Sequence, residues 1–143
     1  MVFGVFDLLH PGHVNFLRQA KKLGDYLVVS VARDINVKKI KGLAALKSEK
    51  QRAAALKKLN FVDKVVLGRL GSPWPHIKKE NPDVIALGYD QKNYIRNQGT
   101  GFRGQEQRLE LELRKHGLKT KVVRLKSFKP ELYKSSRLRE LSA

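Results

Sequence analysis

Two histidines separated by proline and glycine, His10-Pro11-Gly12-His13, are the residues of this chain best placed to do chemistry. They follow an apolar run, Val2 to Phe6, that ends abruptly in Asp7, and a helical pattern begins at Val14. This order reads as a strand, a tight turn and the first turn of a helix. A helix start presents unpaired backbone N–H groups and the positive end of its dipole, so it favours anions. Two imidazoles beside it add donors aimed at the same point. Either histidine alone would be read as an ordinary surface or capping residue. The pair, with glycine between them at a strand-to-helix turn, points to phosphate.

The elements that must position this turn can be read in chain order. Val14 to Leu23 carries apolar residues at near-helical spacing, and Gly24 stops it. Asp25 to Ala32 is a continuous apolar run of strand length, suited to a strand covered on both faces. Strand, helix and strand make a βαβ unit, which implies a parallel sheet and a right-handed crossover. The second strand ends at Arg33-Asp34, at the same sheet edge as the histidine turn, and ligands of open α/β sheets bind at that carboxyl edge. Val37 to Gly42 is a basic stretch leading into a loop. Ser48 opens a helix, with Gln51 completing a capping box, and Arg52 to Leu59 are mostly strong helix formers. A third strand is expected at Asp63–Gly68, a short helix at Trp74–Glu80 broken by Asn81-Pro82, and a fourth strand at Asp83–Gly88. Tyr89 to Gly104 reads as a polar, glycine-rich loop. A helix over Gln105–His116, a fifth strand over Leu118–Leu125 and a short terminal helix opening near Ser135 complete the chain. The fold class expected is α/β: a single domain over residues 1–143, with a Rossmann-like parallel sheet of about five strands and helices on both faces.

Composition narrows the function classes. The chain has 143 residues, enough for its own core, with 41% hydrophobic and 30% charged residues. It carries no run of about 18 apolar residues, so no membrane span is expected. The signature of a signal peptide is lacking too, and cytoplasmic residence is the default. The absence of cysteine excludes thiolate catalysis, disulfides and cysteine-ligated zinc. Thirty basic against 13 acidic residues leave a formal charge of +17, which favours polyanionic partners, nucleotides or nucleic acid. The basic residues are scattered rather than gathered in a tail, so most belong to a solvated surface and a few to a cleft.

The stretch Gly4-Val5-Phe6-Asp7-Leu8-Leu9-His10-Pro11-Gly12-His13 resembles the G-x-F-D-x-x-H-x-G-H signature of the cytidylyltransferase-like nucleotidyltransferases, matching at every specified position. The resemblance continues along nearly the whole chain. Arg52 precedes Val62-Asp63 at the family's spacing, and Gly88-Tyr89-Asp90-Gln91 supplies its glycine-x-aspartate. Tyr133 to Arg139 is a degraded form of its I-S-S-T-x-I-R ending, in which Ser135 and Arg139 match and Ser136 stands for threonine. The resemblance implies that His10 and His13 contact a triphosphate and stabilise the charge of nucleotidyl transfer. Lys38, Lys39 or Lys41 would reach phosphates from the second strand's exit, and Lys41 joins the two histidines as a catalytic candidate. The implied nucleotide-binding set is Val5, Phe6, Asp7, Gly12, His13, Arg52, Gly88, Asp90, Ser135, Ser136 and Arg139. Mg²⁺ or another divalent cation is expected with the triphosphate, Asp7 either helping to hold it or simply ending the strand.

Short members of this family include glycerol-phosphate cytidylyltransferases and archaeal-type FAD synthetases. Val31-Ala32-Arg33-Asp34, Val37 to Gly42 and Ala86 to Gln91 look more like the latter. ATP and FMN are then the expected substrates, with no membrane partner, nucleic acid disfavoured, and a homodimer compatible with the family. The rivals are a CTP-dependent glycerol-phosphate enzyme, a basic nucleic-acid-binding module and a catalytically silent ATP binder. Gly99 to Gly104 spells G-x-G-x-x-G, but polar loop precedes it and Arg124 stands where the dinucleotide fingerprint needs an acid. His76 and His116 have no partner visible in the sequence and are read as surface.

Overall fold

The structure, a computed structural model, describes residues 1–89 and 105–126. The elements run β1 (Val2–Gly4), α1 (Pro11–Lys21), β2 (Val28–Val31), α2 (Asp34–Lys41), α3 (Glu49–Lys57) and β3 (Lys64–Leu67). They continue with α4 (Trp74–Glu80), β4 (Val84–Leu87), α5 (Gln105–Lys115) and β5 (Lys121–Arg124). Strand β1 pairs in parallel with β2, β2 with β3, and β4 with β5. The Met1 nitrogen donates to the Val84 carbonyl at 2.8 Å, and Ala86 N–H donates to the Met1 carbonyl at 3.1 Å. That is the slanted pattern of a parallel pair, and it lays β4 along the free side of β1. The strands form a three-stranded sheet, 3-2-1, and a two-stranded sheet, 4-5, set side by side through Met1 in the order 3-2-1-4-5, which reverses direction between β1 and β4. A crevice at the carboxyl ends of those two strands is where such sheets take ligands.

Alternation along the strands assigns the two faces. Val2, Val29 and Val31 pack with Leu17 and Ala20 of α1 and Ala53 and Leu56 of α3. Met1, Val28, Ile85, Leu87 and Val122 pack with Ile77 of α4 and Leu109 and Leu113 of α5. Helices cover both faces, as the unbroken apolar strands require.

Two elements depart from the sequence-based expectation. Helix α1 starts at Pro11 rather than Val14, because His10 is its N-cap: the ring Nδ1 accepts the Gly12 N–H at 3.1 Å, and Pro11 occupies the first helical position. The basic stretch after β2 is not a loop approach but helix α2. Asp34 sits in its first turn, three lysines in its last, and Gly42 ends it in the left-handed region at φ 75°. That charge order complements the dipole, while the few apolar residues hide the helical period. The Ser48–Gln51 capping box of α3 forms on both sides, at 3.2 and 2.9 Å. Ser48→Ala is expected to lower stability by about 1 kcal/mol, measured by urea unfolding, with native-like secondary structure retained.

Candidate active site

The turn between β1 and α1 is shaped by a contact between two of its own residues. Phe6 is a non-glycine residue at φ 52°, and its ring folds back over Gly4. A Cβ on Gly4 would lie 2.6 Å from the Phe6 ring, so a side chain there would evict the ring. The buried ring also packs at 5.5 Å, edge-on, against His13 and at 6.4 Å against Phe16. Phe6 is thus the wedge that sets His13, and Gly4 the space that admits it.

His10 and His13 stack with their ring centroids 3.8 Å apart. Burial and the adjacent His10 ring push the His13 pKa down to about 4; the Lys41 cation adds to the fall, and the Leu8 backbone opposes it. Burial lowers His10 as well. Both rings are therefore neutral near pH 7. Since His10 Nδ1 accepts the Gly12 N–H, the proton of neutral His10 sits on Nε2. His13 Nδ1 is buried and makes no hydrogen bond among the described residues. Lys41, in the last turn of α2, is the lysine whose charge reaches His13, which distinguishes it from Lys38 and Lys39.

Beneath the turn lies a polar frame. The Arg52 side chain has 0% exposure. Its Nη1 donates to the Val5 carbonyl at 2.9 Å, Nε to the Lys47 carbonyl at 3.1 Å and Nη2 to Asp34 Oδ1 at 2.6 Å. Arg52 therefore does not face the cleft as a phosphate ligand; its donors hold the end of β1, the loop before α3 and the start of α2 together. Glu49 extends the frame, accepting from Asp34 N–H at 3.0 Å and from Arg33 Nη1 at 2.9 Å, while Arg33 Nε reaches the Gly68 carbonyl at 2.6 Å. The Asp7 carboxylate, 4% exposed, accepts the backbone N–H groups of Leu46 at 2.8 Å and Lys47 at 2.9 Å.

Asp7 thus staples the 46–47 backbone to the histidine turn. With both oxygens so engaged, and no group of three His, Asp or Glu side chains placed to hold a metal among the described residues, this edge offers no protein cage for Mg²⁺. Val5 and Phe6 contribute shape and backbone rather than exposed side chains. Gly12 lies in the first turn of α1 and donates to the cap. Gly88 follows β4 on the same sheet edge, its carbonyl held at 2.9 Å by Arg124, which also binds Glu106. Asp90, Ser135, Ser136 and Arg139, with the Gly99–Gly104 stretch, lie outside the described residues.

Against this geometry, the chain matches the cytidylyltransferase-like family over residues 1–141. It belongs to that family. A cytidylyltransferase-like chain with the FAD synthase of Aciduliprofundum boonei as a relative, it is 45% identical to that protein over 128 residues, 90% of this chain and 78% of the other. To the FAD synthase of Pyrococcus abyssi it is 45% identical over 138 residues, covering 96% of this chain and 83% of that one. Among solved structures it is similar to a lipopolysaccharide core biosynthesis protein from Thermoplasma volcanium, with TM-score 0.78 and 37% identity over 90% of this chain and 96% of that one.

The reading of His76 as surface is overturned. Its half-buried ring Nε2 lies 2.9 Å from Ser30 Oγ, and His116 stacks on Trp74 with centroids 3.9 Å apart. Ser30 carried the missed signal: it is the polar residue inside the apolar run of β2, and a buried hydroxyl needs a partner.

Two outcomes follow from this arrangement. Arg52→Leu leaves the Val5 and Lys47 carbonyls without their donor, and should cost about 2–4 kcal/mol in urea unfolding. His13 binds a proton more weakly folded, at about 4, than its ordinary value of 6.5. Its neutral burial therefore contributes stability fully above about pH 6.5, lost as pH falls toward 4. His13→Gln should flatten that part of the Tm-against-pH curve relative to the parent; superimposable slopes would refute the assignment.

Proposed function

We propose that this chain is an FAD synthase that transfers the AMP unit of ATP to FMN and releases pyrophosphate. The observation that carries the reading is the stacked His10–His13 pair at the strand-order reversal, in a chain so similar over most of its length to FAD synthases.

The chemistry asks little covalent work of the protein. A phosphate oxygen of FMN attacks the α-phosphorus of ATP, the bond from that phosphorus to the bridging oxygen breaks, and pyrophosphate leaves in line. Catalysis is then positioning and stabilisation of charge on the non-bridging and leaving oxygens. His10 and His13 offer neutral N–H donors to those oxygens. The start of α1 adds backbone N–H groups and its dipole, and Lys41 adds a full cation beside His13. Since the described residues place no group of His, Asp and Glu side chains to cage a metal, Mg²⁺ would enter the reaction with the ATP substrate, neutralising its phosphates. Small soluble substrates and a cysteine-free chain suit a cytoplasmic enzyme, and no described helix is long and apolar enough to cross a membrane.

The test is pyrophosphate release and FAD formation with ATP or CTP as donor and FMN or glycerol phosphate as acceptor. FMN with ATP should dominate; preference for CTP and glycerol phosphate would overturn the substrates. His10→Ala and His13→Ala should each lower kcat by about 10²–10³ while circular dichroism stays native-like. Near-full turnover in both variants would remove the histidines from the reaction.

A further inference from the structure

On the face of the sheet opposite α1, a cavity of about 240 Å³ opens beside the ends of β1, β2 and β3. Phe3, Gly4, Ser30, Asn36, Arg69 and His76 are among its lining residues. Ser30 is buried in β2, between Val29 and Val31, and its hydroxyl meets His76 Nε2 at 2.9 Å. Burial lowers the His76 pKa, with the cations of Arg69, Lys79 and Arg33 acting the same way and Glu80 opposing, so the ring is neutral near pH 7. A half-buried imidazole in a cavity wall, held by a buried hydroxyl, is a group suited to a ligand's polar edge.

We infer that this cavity takes the ring system of the flavin acceptor, and that His76, oriented by Ser30, is a specificity-determining residue that reads the polar edge of that ring. The inference rests on the FAD synthase reading. In-line displacement is what assigns the cavity to the acceptor. In the proposed reaction the start of α1 takes the leaving pyrophosphate, so the attacking phosphate would approach the α-phosphorus from the side away from that helix start. The cavity lies on that side, and Gly4 forms part of its wall. Its volume lies below the range of about 300–1,000 Å³ usual for pockets that enclose a whole small ligand, so it suits one ring system rather than the entire acceptor. Phe3 supplies an aromatic wall, and the exposed Arg69 a cation for the acceptor's own phosphate at the rim. No proton has to move in the step: the FMN phosphate oxygen forms the new bond to the α-phosphorus, and the electron pair of the broken bond leaves on pyrophosphate.

Steady-state kinetics with ATP and FMN varied separately, together with quenching of FMN fluorescence by the protein alone, tests the assignment. His76→Ala and Ser30→Ala should raise the KM for FMN about tenfold, leave the KM for ATP within about twofold, and weaken FMN binding in parallel. His76→Asn, which keeps a hydrogen-bonding edge, should recover part of the loss. Arg69→Ala, an exposed change that spares the core, carries the same expectation should the Ser30 or His76 variants unfold. A rise in the KM for ATP alone would assign the cavity to the donor and overturn the proposal. Unchanged constants for both substrates in folded variants would make Ser30–His76 a packing contact only. Failure of the parent chain to form FAD at all would instead overturn the function on which the proposal rests.

Discussion

The Arg52 guanidinium is the constraint on which the rest of the site depends. Burying a cation costs several kcal/mol unless its donors are matched, and here the matches are two carbonyls and a carboxylate drawn from three separate segments. The cost of burial and the precision of the site are linked: the segments cannot drift apart without stranding a charge. Asp34, on the rim, is half-exposed and retains much of its hydration, so the pair is less costly than a fully dry one. Through Asp34 and Glu49 the constraint reaches Arg33 and the end of β3. The carboxyl edges of β1 and β3 are thus held by one connected network.

On that frame the phosphate turn is assembled by local strain and local space. A phenylalanine in the left-handed region is unfavourable, and it persists because its ring is fixed by Gly4, Phe16 and His13. The ring position then determines where His13 stands, and the His10 cap determines where the helix starts. Asp7 closes the turn against the 46–47 backbone. Gly4, Phe6, Asp7 and Gly12 therefore have structural tasks in the turn, and the histidines and the helix start are what remain to meet an anion in the proposed reaction. The others hold them.

That division explains what could be read from the sequence. Strands covered on both faces are continuous apolar runs, so β2, β3 and β4 were legible to within a few residues, as was the capping box of α3. The two histidines were legible because their types and spacing have few purely structural uses. Arg52 was misread in its role, though not its importance: spacing signals that a residue is specified, but burial decides whether it binds ligand or chain. Helix α2 escaped because its stability comes from charge order and a glycine cap rather than an apolar stripe. The Ser30–His76 contact joins residues far apart in sequence, and only the crossover that brings α4 over β2 places them together. No periodicity within one element can report that.

The charge distribution divides the work in a similar way. An excess of 17 positive charges raises the local concentration of polyanionic substrates, but at physiological salt each charge is screened within about 8 Å. In the histidine turn the groups differ in kind: two neutral imidazoles and a helix start, with the Lys41 charge reaching His13. In the proposed reaction, preorganised donors of this kind strengthen as charge develops on the oxygens they face. The depressed His13 pKa comes from burial in the turn first, then from the stacked His10 ring and the Lys41 charge. In the proposed enzyme the surface lysines and arginines would supply attraction at long range, and the histidine pair donors at the reacting phosphates.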